Sequence, residues 1–495
     1  MAKFNTPNTI KTTNRSGYPA YSLREKEELV TAVLTTMFGE PKYYGSTDNN
    51  IVRLATQCAW EDPDFLCRLA CYVRNTGNLR SVSHVLVCVI ARHAREYTRV
   101  AIRKTVVRPD DITEIMSCYR SMYGKPFPNA MKREIAAVIQ KFDEYQIAKY
   151  NGGSKSLKFR DVLRIVHPVP ITPEKEELFG KILNGTLETP YTWETELSAR
   201  GNTAAVWNEL IDSGRVGYMA LLRNLRNIIK SGADLKPVLR KLADPEQVKK
   251  SRQLPFRFYS AYRMLVNENL ITPGTHRALE TALCASIDNM DRIPGRTLVA
   301  VDVSGSMRQT ISEKSDVRCR DIAALLGAMA SRLCEDATVC YFDCANGYSV
   351  NGADGYTIAH YGKYDSILDI CNRSPFGGGG TDLSLPMRFA LYNDRSVHIK
   401  PFDRVIYLSD NECNRSVTMR NAAVQTYADQ YRANFNPNFW VHGIDLQGYG
   451  TQQFCGSKFN LIAGWSEAVL PFILLAEKGM GSMVKTISQY PLDEG

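Results

Sequence analysis

The hydrophobic pattern of this chain changes period once, near residue 297, and that change constrains most of what the chain can fold into. Before it, from Ser22 to about Met290, apolar residues recur at helical spacing in segments of roughly 10 to 20 residues, punctuated by Gly, Pro and Asn. From Thr297 the chain reads TLVAVDVSGSM, an apolar run ending in small polar residues, followed by helical spacing from Cys319 to Leu333. This is the signature of a buried parallel strand feeding a helix. Further apolar runs at Thr338 to Phe342, Val405 to Leu408 and Phe439 to Ile444 alternate with helical stretches at Leu383 to Leu391 and Thr418 to Arg432. That alternation belongs to a doubly wound α/β sheet. The spacing therefore predicts an all-α region over residues 1–293 and an α/β domain over residues 294–495.

Within the first region, a helix is expected to open at Ser22, with Glu25 in capping-box position, and to run through Leu29, Val30, Val33, Leu34 and Met37 until Gly39 stops it. Further helices are expected at Ile51 to Trp60, Phe65 to Arg74, Val82 to His93, Asn129 to Tyr150, Tyr218 to Ile229 and Phe256 to Glu268. Pro63, Pro109, Pro128 and Pro255 stand near helix starts, where a missing N–H costs nothing. There is no strict repeat, only helices in pairs. Such pairs favour a solenoid of the HEAT type over a compact bundle, because each pair buries only its neighbours' faces and leaves a long concave surface.

Charge and cysteine usage narrow the functional classes. The net charge of +9 divides unevenly: up to residue 300 there are 44 Lys and Arg against 31 Asp and Glu, and after it 17 against 21. The helical region thus carries +13 and the α/β region −4. A positive excess confined to one region suits a polyanion partner, since each neutralised phosphate releases counterions. The 13 cysteines are an odd number, and the closest pairs, Cys67/Cys71 and Cys340/Cys344, lack zinc-ribbon spacing. They read as reduced thiols of a cytoplasmic protein. The N-terminal MAKFNTPNTIKTTNRSG has no apolar stretch after its basic residues, and no later run reaches the roughly 18 apolar residues of a membrane span.

The strongest chemical signal is Asp302, Ser304 and Ser306 at the end of the first predicted sheet strand. One carboxylate and two hydroxyls at alternate positions of a turn can converge on a hard cation, and oxygen-only ligation selects Mg²⁺, Mn²⁺ or Ca²⁺ over zinc. Thr381 follows the glycines 377–380, and Asp410 ends the strand that starts at Val405, so both belong to the same sheet edge. Alone, D-x-S-x-S is also an ordinary turn sequence. Together, Asp302, Ser304, Ser306, Thr381 and Asp410 resemble the metal-ion-dependent adhesion site of von Willebrand A domains, with all five family positions filled. The resemblance implies one divalent cation with an open coordination position for an acidic group of a partner protein, and no catalysis.

The helical region resembles the TROVE family of Ro RNA-binding proteins, which also end in a von Willebrand A domain. The matching stretches, in order, are NTGNLR from Asn75, PFPNAMKREIAAVIQKFDEYQIAKY from Pro126, FRDVLRIVH from Phe159, GYMALLRNLRN from Gly217 and SRQLPFRFYSAY from Ser251. The resemblance implies a monomeric helical-repeat ring whose basic outer face binds small structured Y RNA and whose central hole takes single-stranded ends of misfolded non-coding RNAs. Lys132, Arg133, Lys149, Lys155, Lys158, Arg160, Arg164 and His167 cluster around one loop-to-helix passage and are the candidate RNA contacts. Taken alone, any one of them reads more readily as a solvated helix-face charge, and it is their clustering and family position that favour RNA; His167, followed by Pro168, is equally readable as a helix C-cap. Arg223 and Arg226 sit among apolar residues, which favours pairing with buried carboxylates over RNA contact. Tyr145 and Tyr150 fit either base stacking or packing.

These features assemble into a non-enzymatic RNA-binding protein of a ribonucleoprotein, acting in non-coding RNA quality control or in delivery to a ribonuclease. The alternative is a metal-dependent protein-interaction scaffold without RNA. A nuclease or phosphatase is disfavoured, since the ligand set has no second metal site and no positioned base.

Overall fold

The computed structural model describes residues 11–13, 19–21, 25–35, 46–151, 157–310, 317–345, 349–396, 398–410, 421–446, 458–463, 469–477 and 480–493. The chain packs as two compact units. One comprises residues 25–34, 38–201 and 483–495; the other comprises 1–24, 35–37 and 202–482.

The first unit is helical, and its local chemistry explains where the helices begin and end. Pro63 opens the helix Pro63–Asn75, and the Asp62 carboxylate accepts from the Phe65 N–H at 3.0 Å. Helices Ser46–Glu61, Pro63–Asn75 and Pro109–Tyr123 pack around Arg80–His93, whose residues from Val82 to Ala91 are all buried. Thr98–Thr105 packs on Asn129–Val138, which packs in turn on Phe159–Val166. Burial is thus handed from each helix to the next pair, as expected of a solenoid. The expected single helix from Asn129 to Tyr150 is interrupted. Phe142 is extended and Asp143 starts a new helix, Glu144–Tyr150, through a reciprocal capping box: its carboxylate accepts from Gln146 N at 2.7 Å, and Gln146 Oε1 accepts from Asp143 N at 3.0 Å.

Asp111 anchors this unit. Wholly buried, it accepts from Arg74 Nη2 at 2.9 Å, Arg80 Nε at 2.5 Å and His84 Nε2 at 3.0 Å. The backbone N–H groups of Val107 and Arg108 also donate to it, at 3.0 and 2.8 Å. Arg80 closes the NTGNLR stretch, where Asn75 donates to the carbonyls of Cys71 and Lys104 and Asn78 adopts a φ of +53°. That stretch is therefore a structural joint between two helices.

The second unit holds a short hairpin, β1 (Lys11–Thr13) and β2 (Pro19–Tyr21), the helices from Ala204–Asp212 to Pro273–Ile287, and a six-stranded sheet. The sheet strands are β3 (Ile293–Asp302), β4 (Cys334–Phe342), β5 (Tyr356–Ala359), β6 (Arg404–Ser409), β7 (Trp440–Asp445) and β8 (Phe459–Ala463), in the order β5-β4-β3-β6-β7-β8. All neighbours run parallel except β5, an antiparallel edge strand whose half-exposed residues give no buried alternation to read in sequence. Leu298, Ala300, Phe342, Tyr407 and Val441 form the core of one face. The helix Cys319–Leu333 covers the other so closely that a Cβ on Gly327 would lie 2.9 Å from Val301 Cγ2. Glu280, on the helix Pro273–Ile287, caps the start of helix Ile367–Arg373 by accepting from Ser366 Oγ, Ile367 N and Leu368 N at 2.8 to 3.0 Å. Among the described residues no helix is long and apolar enough to cross a membrane.

Candidate metal centre and basic surface

Strand order reverses beside β3, which has β4 on one side and β6 on the other, and carboxylates emerge at that switch point. Asp302 ends β3 wholly buried, and Asp410 follows β6 with 1% of its surface exposed. Each oxygen of Asp302 is held: Ser304 N donates to Oδ1 at 2.9 Å and Ser409 Oγ to Oδ2 at 2.6 Å. The chain then turns through Gly305–Arg308, which places the hydroxyls of Ser304 and Ser306 3.2 Å apart.

The glycine run joins this turn through backbone alone. Gly305 N donates to Gly379 O at 3.1 Å, and Gly377 N and Gly378 N donate to Val303 O at 3.3 and 3.1 Å, so that buried Thr381 follows directly from the same edge. Asp343, at the end of β4, braces the run. It accepts from Ser349 Oγ at 2.7 Å and Val350 N at 2.8 Å, and its carbonyl accepts from Asp382 N at 2.6 Å. Ser409 and Asp343 were not foreseen from sequence. Ser409 stands beside Asp302 only because Val301 pairs with Leu408 across two strands distant in the chain.

Burial and the neighbouring Asp410 push the Asp302 carboxyl up to about 7. A divalent cation between the two carboxylates would remove the repulsion behind that rise, and the donors are all oxygens, so the residues fit such an ion. Among the described residues no three His, Cys, Asp or Glu side chains gather at a point, so the hydroxyls would have to complete the shell.

The basic candidates lie in the first unit. Helix Phe159–Val166 buries Phe159, Val162, Leu163 and Val166, leaving Arg160 and Arg164 exposed one turn apart. Lys158 precedes it, its backbone N–H donating to Asp161 Oδ2 at 2.9 Å. His167 ends it in a left-handed conformation, φ +48°, with its N–H on Leu163 O at 2.9 Å, so it is the helix C-cap and its ring is exposed. Half-buried Lys132 and exposed Arg133 lie on the neighbouring helix Asn129–Val138, and exposed Lys149 in the last turn of Glu144–Tyr150. Lys155 lies outside the described residues. Among those residues, Arg133, Lys149, Lys158, Arg160 and Arg164 enter no ion pair. Tyr150 carries Arg108 over its ring at 4.7 Å, whereas Tyr145 is 52% exposed. Arg226 lies 2.9 Å from Glu268, a partly exposed carboxylate and not the buried one expected, and Arg223 is exposed.

The TROVE domain matches residues 29–184 and 177–292, together more than half of the chain, and the Ro60 vWA domain matches residues 296–449. The chain belongs to the TROVE-domain family. Ro and TROVE proteins are RNA-binding components of ribonucleoproteins and are not typical enzymes, and vWA domains often bind a divalent metal.

The chain is 26% identical over 335 residues to telomerase protein component 1 of Rattus norvegicus, covering 49% of this chain and 13% of that protein. The Mus musculus protein of that name is 27% identical over 304 residues, covering 44% of this chain and 12% of that one. This chain therefore spans only a small part of the length of these curated relatives. The crystal structure of the Deinococcus radiodurans Ro (Rsr) protein superposes with a TM-score of 0.63 over 91% of this chain and 99% of that one, at 17% identity, a likeness of fold.

Proposed function

We propose that this TROVE protein binds small structured RNA of the Y type, together with single-stranded ends of misfolded non-coding RNAs, for quality control or delivery to a ribonuclease, without catalysis of its own. The observation that carries this reading is that Lys158, Arg160, Arg164, Arg133 and Lys149 are all exposed, on or next to helices of one unit, and outside any ion pair among the described residues, in a region of net charge +13. Guanidinium and ammonium groups left open on a helix face suit phosphates. A cytoplasmic location is part of the proposal, supported by the eleven described cysteines, all of them free thiols.

The test is binding of a structured RNA with a single-stranded 3′ tail across a salt series. Lys149→Ala/Lys158→Ala/Arg164→Ala is expected to flatten the logarithmic salt slope by about 2 to 3, one unit per lost phosphate contact. Asp302→Ala is expected to bind as wild type does. Weak, salt-insensitive binding unchanged by any substitution would sink the RNA reading in favour of a protein scaffold.

We further propose that Asp302, Ser304, Ser306, Thr381 and Asp410 hold one divalent cation, Mg²⁺ with Mn²⁺ or Ca²⁺ as substitutes, and present it to an acidic group of a protein partner. Saturating Mg²⁺, about 100 times its Kd, is expected to stabilise the second unit by about 2.7 kcal/mol, raising its melting temperature by roughly 4 °C. Calorimetry of wild type and Asp302→Ala decides this: an equal rise in both would exclude Asp302 as a ligand.

A further inference from the structure

We propose that the loop from Pro168 to Thr172 is an apolar wedge that contacts unpaired RNA bases beside the phosphate-binding side chains. The proposal rests on the RNA reading above and assigns that surface a second class of contact. Val169 is 80% exposed and Ile171 71%, the most exposed aliphatic side chains among the described residues of their unit. Single exposed hydrophobics are ordinary; this pair is not placed as fraying would place it. Pro168 and Pro170 flank Val169, fix their own backbone angles and restrict the residues before them. Gln140 Nε2 donates to Val169 O at 2.7 Å, and beyond the loop Lys175 Nζ donates to Phe142 O at 2.7 Å. The loop is therefore pinned against the turn 139–143 at both ends, with its two apolar side chains held out in water.

Its surroundings identify the occupant. The loop follows directly from the helix that presents Arg160 and Arg164, and exposed Tyr145, with Lys149 Nζ 5.9 Å from its ring centroid, begins just beyond the same turn. A partner covering this surface must bring negative charge to the cations and apolar faces to Val169, Ile171 and Tyr145. Single-stranded RNA has both, phosphates along one side and bases along the other, whereas a paired stem hides its base faces in the stack. An apolar protein segment would satisfy the valine and isoleucine and leave the arginines unmatched.

Val169→Ser/Ile171→Ser tests the wedge, and since both side chains are exposed the fold is not at risk. Two probes are titrated across a salt series: a hairpin RNA with an unpaired pyrimidine-rich internal loop, and a fully paired hairpin of equal length. The expected result is about tenfold weaker binding of the looped RNA with an unchanged salt slope, and paired-hairpin binding that stays within about twofold of wild type. Equal affinity of variant and wild type for the looped RNA would overturn the wedge and leave the loop to a protein partner. An equal loss on both probes with a flattened slope would overturn it too, since the loop would then act only by placing charges. If wild type binds neither RNA, the RNA reading itself falls, an outcome distinct from both.

Discussion

Replacing Asp111 by alanine is expected to destabilise the first helical unit by about 3–5 kcal/mol, because it strips five donors of one buried acceptor. The side chain is wholly buried, Arg74 is only 11% exposed at its side chain, and water cannot replace the lost carboxylate at either. Asp111→Asn keeps the shape and is expected to cost less. Chemical denaturation followed by circular dichroism measures both, and a loss under about 1 kcal/mol for the alanine would show that the network is not what anchors these helices.

Acid should weaken the same unit, and the sign follows from two shifts in one direction. Burial, outweighing its bond to Asp111, lowers the pKa of His84, so the folded unit keeps the ring neutral. Burial would raise Asp111, but the His84 hydrogen bond and the charges of Arg80 and Arg74 hold it well below the usual carboxylate range. The His84 contribution is complete above its unfolded value near 6.5 and is lost as pH falls from there toward the folded pKa. That of Asp111 is complete above 3.8 and is lost below it. Stability should therefore begin to fall just under neutrality and fall further below pH 4, and a flat profile from pH 7 to 5 would contradict the neutral buried histidine.

The second large effect is expected at Gly378. A Cβ there would fall onto Asp343 Oδ2 and within 2.7 Å of the Asp343 Cβ and Cγ, a side chain already fixed by Ser349, Val350 and Asn351. Neither partner can yield without moving the glycine run that leads to Thr381. Gly378→Ala is expected to cost about 1–3 kcal/mol from overpacking and to weaken Mg²⁺ binding roughly 10- to 100-fold. Titration calorimetry with Mg²⁺ alone checks this, with Gly180→Ala as control, since a Cβ on that helical glycine meets nothing within 4 Å. Unchanged Mg²⁺ affinity in Gly378→Ala would mean that the loop plays no part in holding the cation.

Much of this was legible in the sequence, wherever a feature depends on neighbours along the chain. The switch from helical spacing to apolar runs marked β3, β4, β6 and β7, and the helix Cys319–Leu333 came out with its observed ends. Prolines marked the starts at Pro63, Pro109 and Pro255 for the same local reason. The break before Glu144 was readable as well, since Asp143 and Gln146 stand at capping-box spacing, but the apolar periodicity running through it reads as one helix.

The sequence by itself determined the two architectures, the unequal charge of their halves, and the turn that sets Asp302, Ser304 and Ser306 at alternate positions. Only the tertiary structure decided that Ser409 would hold Asp302, that Asp343 would brace the glycine run, and that Asp111 would gather Arg74, Arg80 and His84. It also decided that Val169 and Ile171 would remain in water, in the loop that follows the helix carrying Arg160 and Arg164. The reason is that a turn or cap is made by residues a few positions apart, whose geometry the chain itself dictates. Strand register and helix packing bring together groups separated by tens to a hundred residues, and their partners follow from how whole faces bury one another.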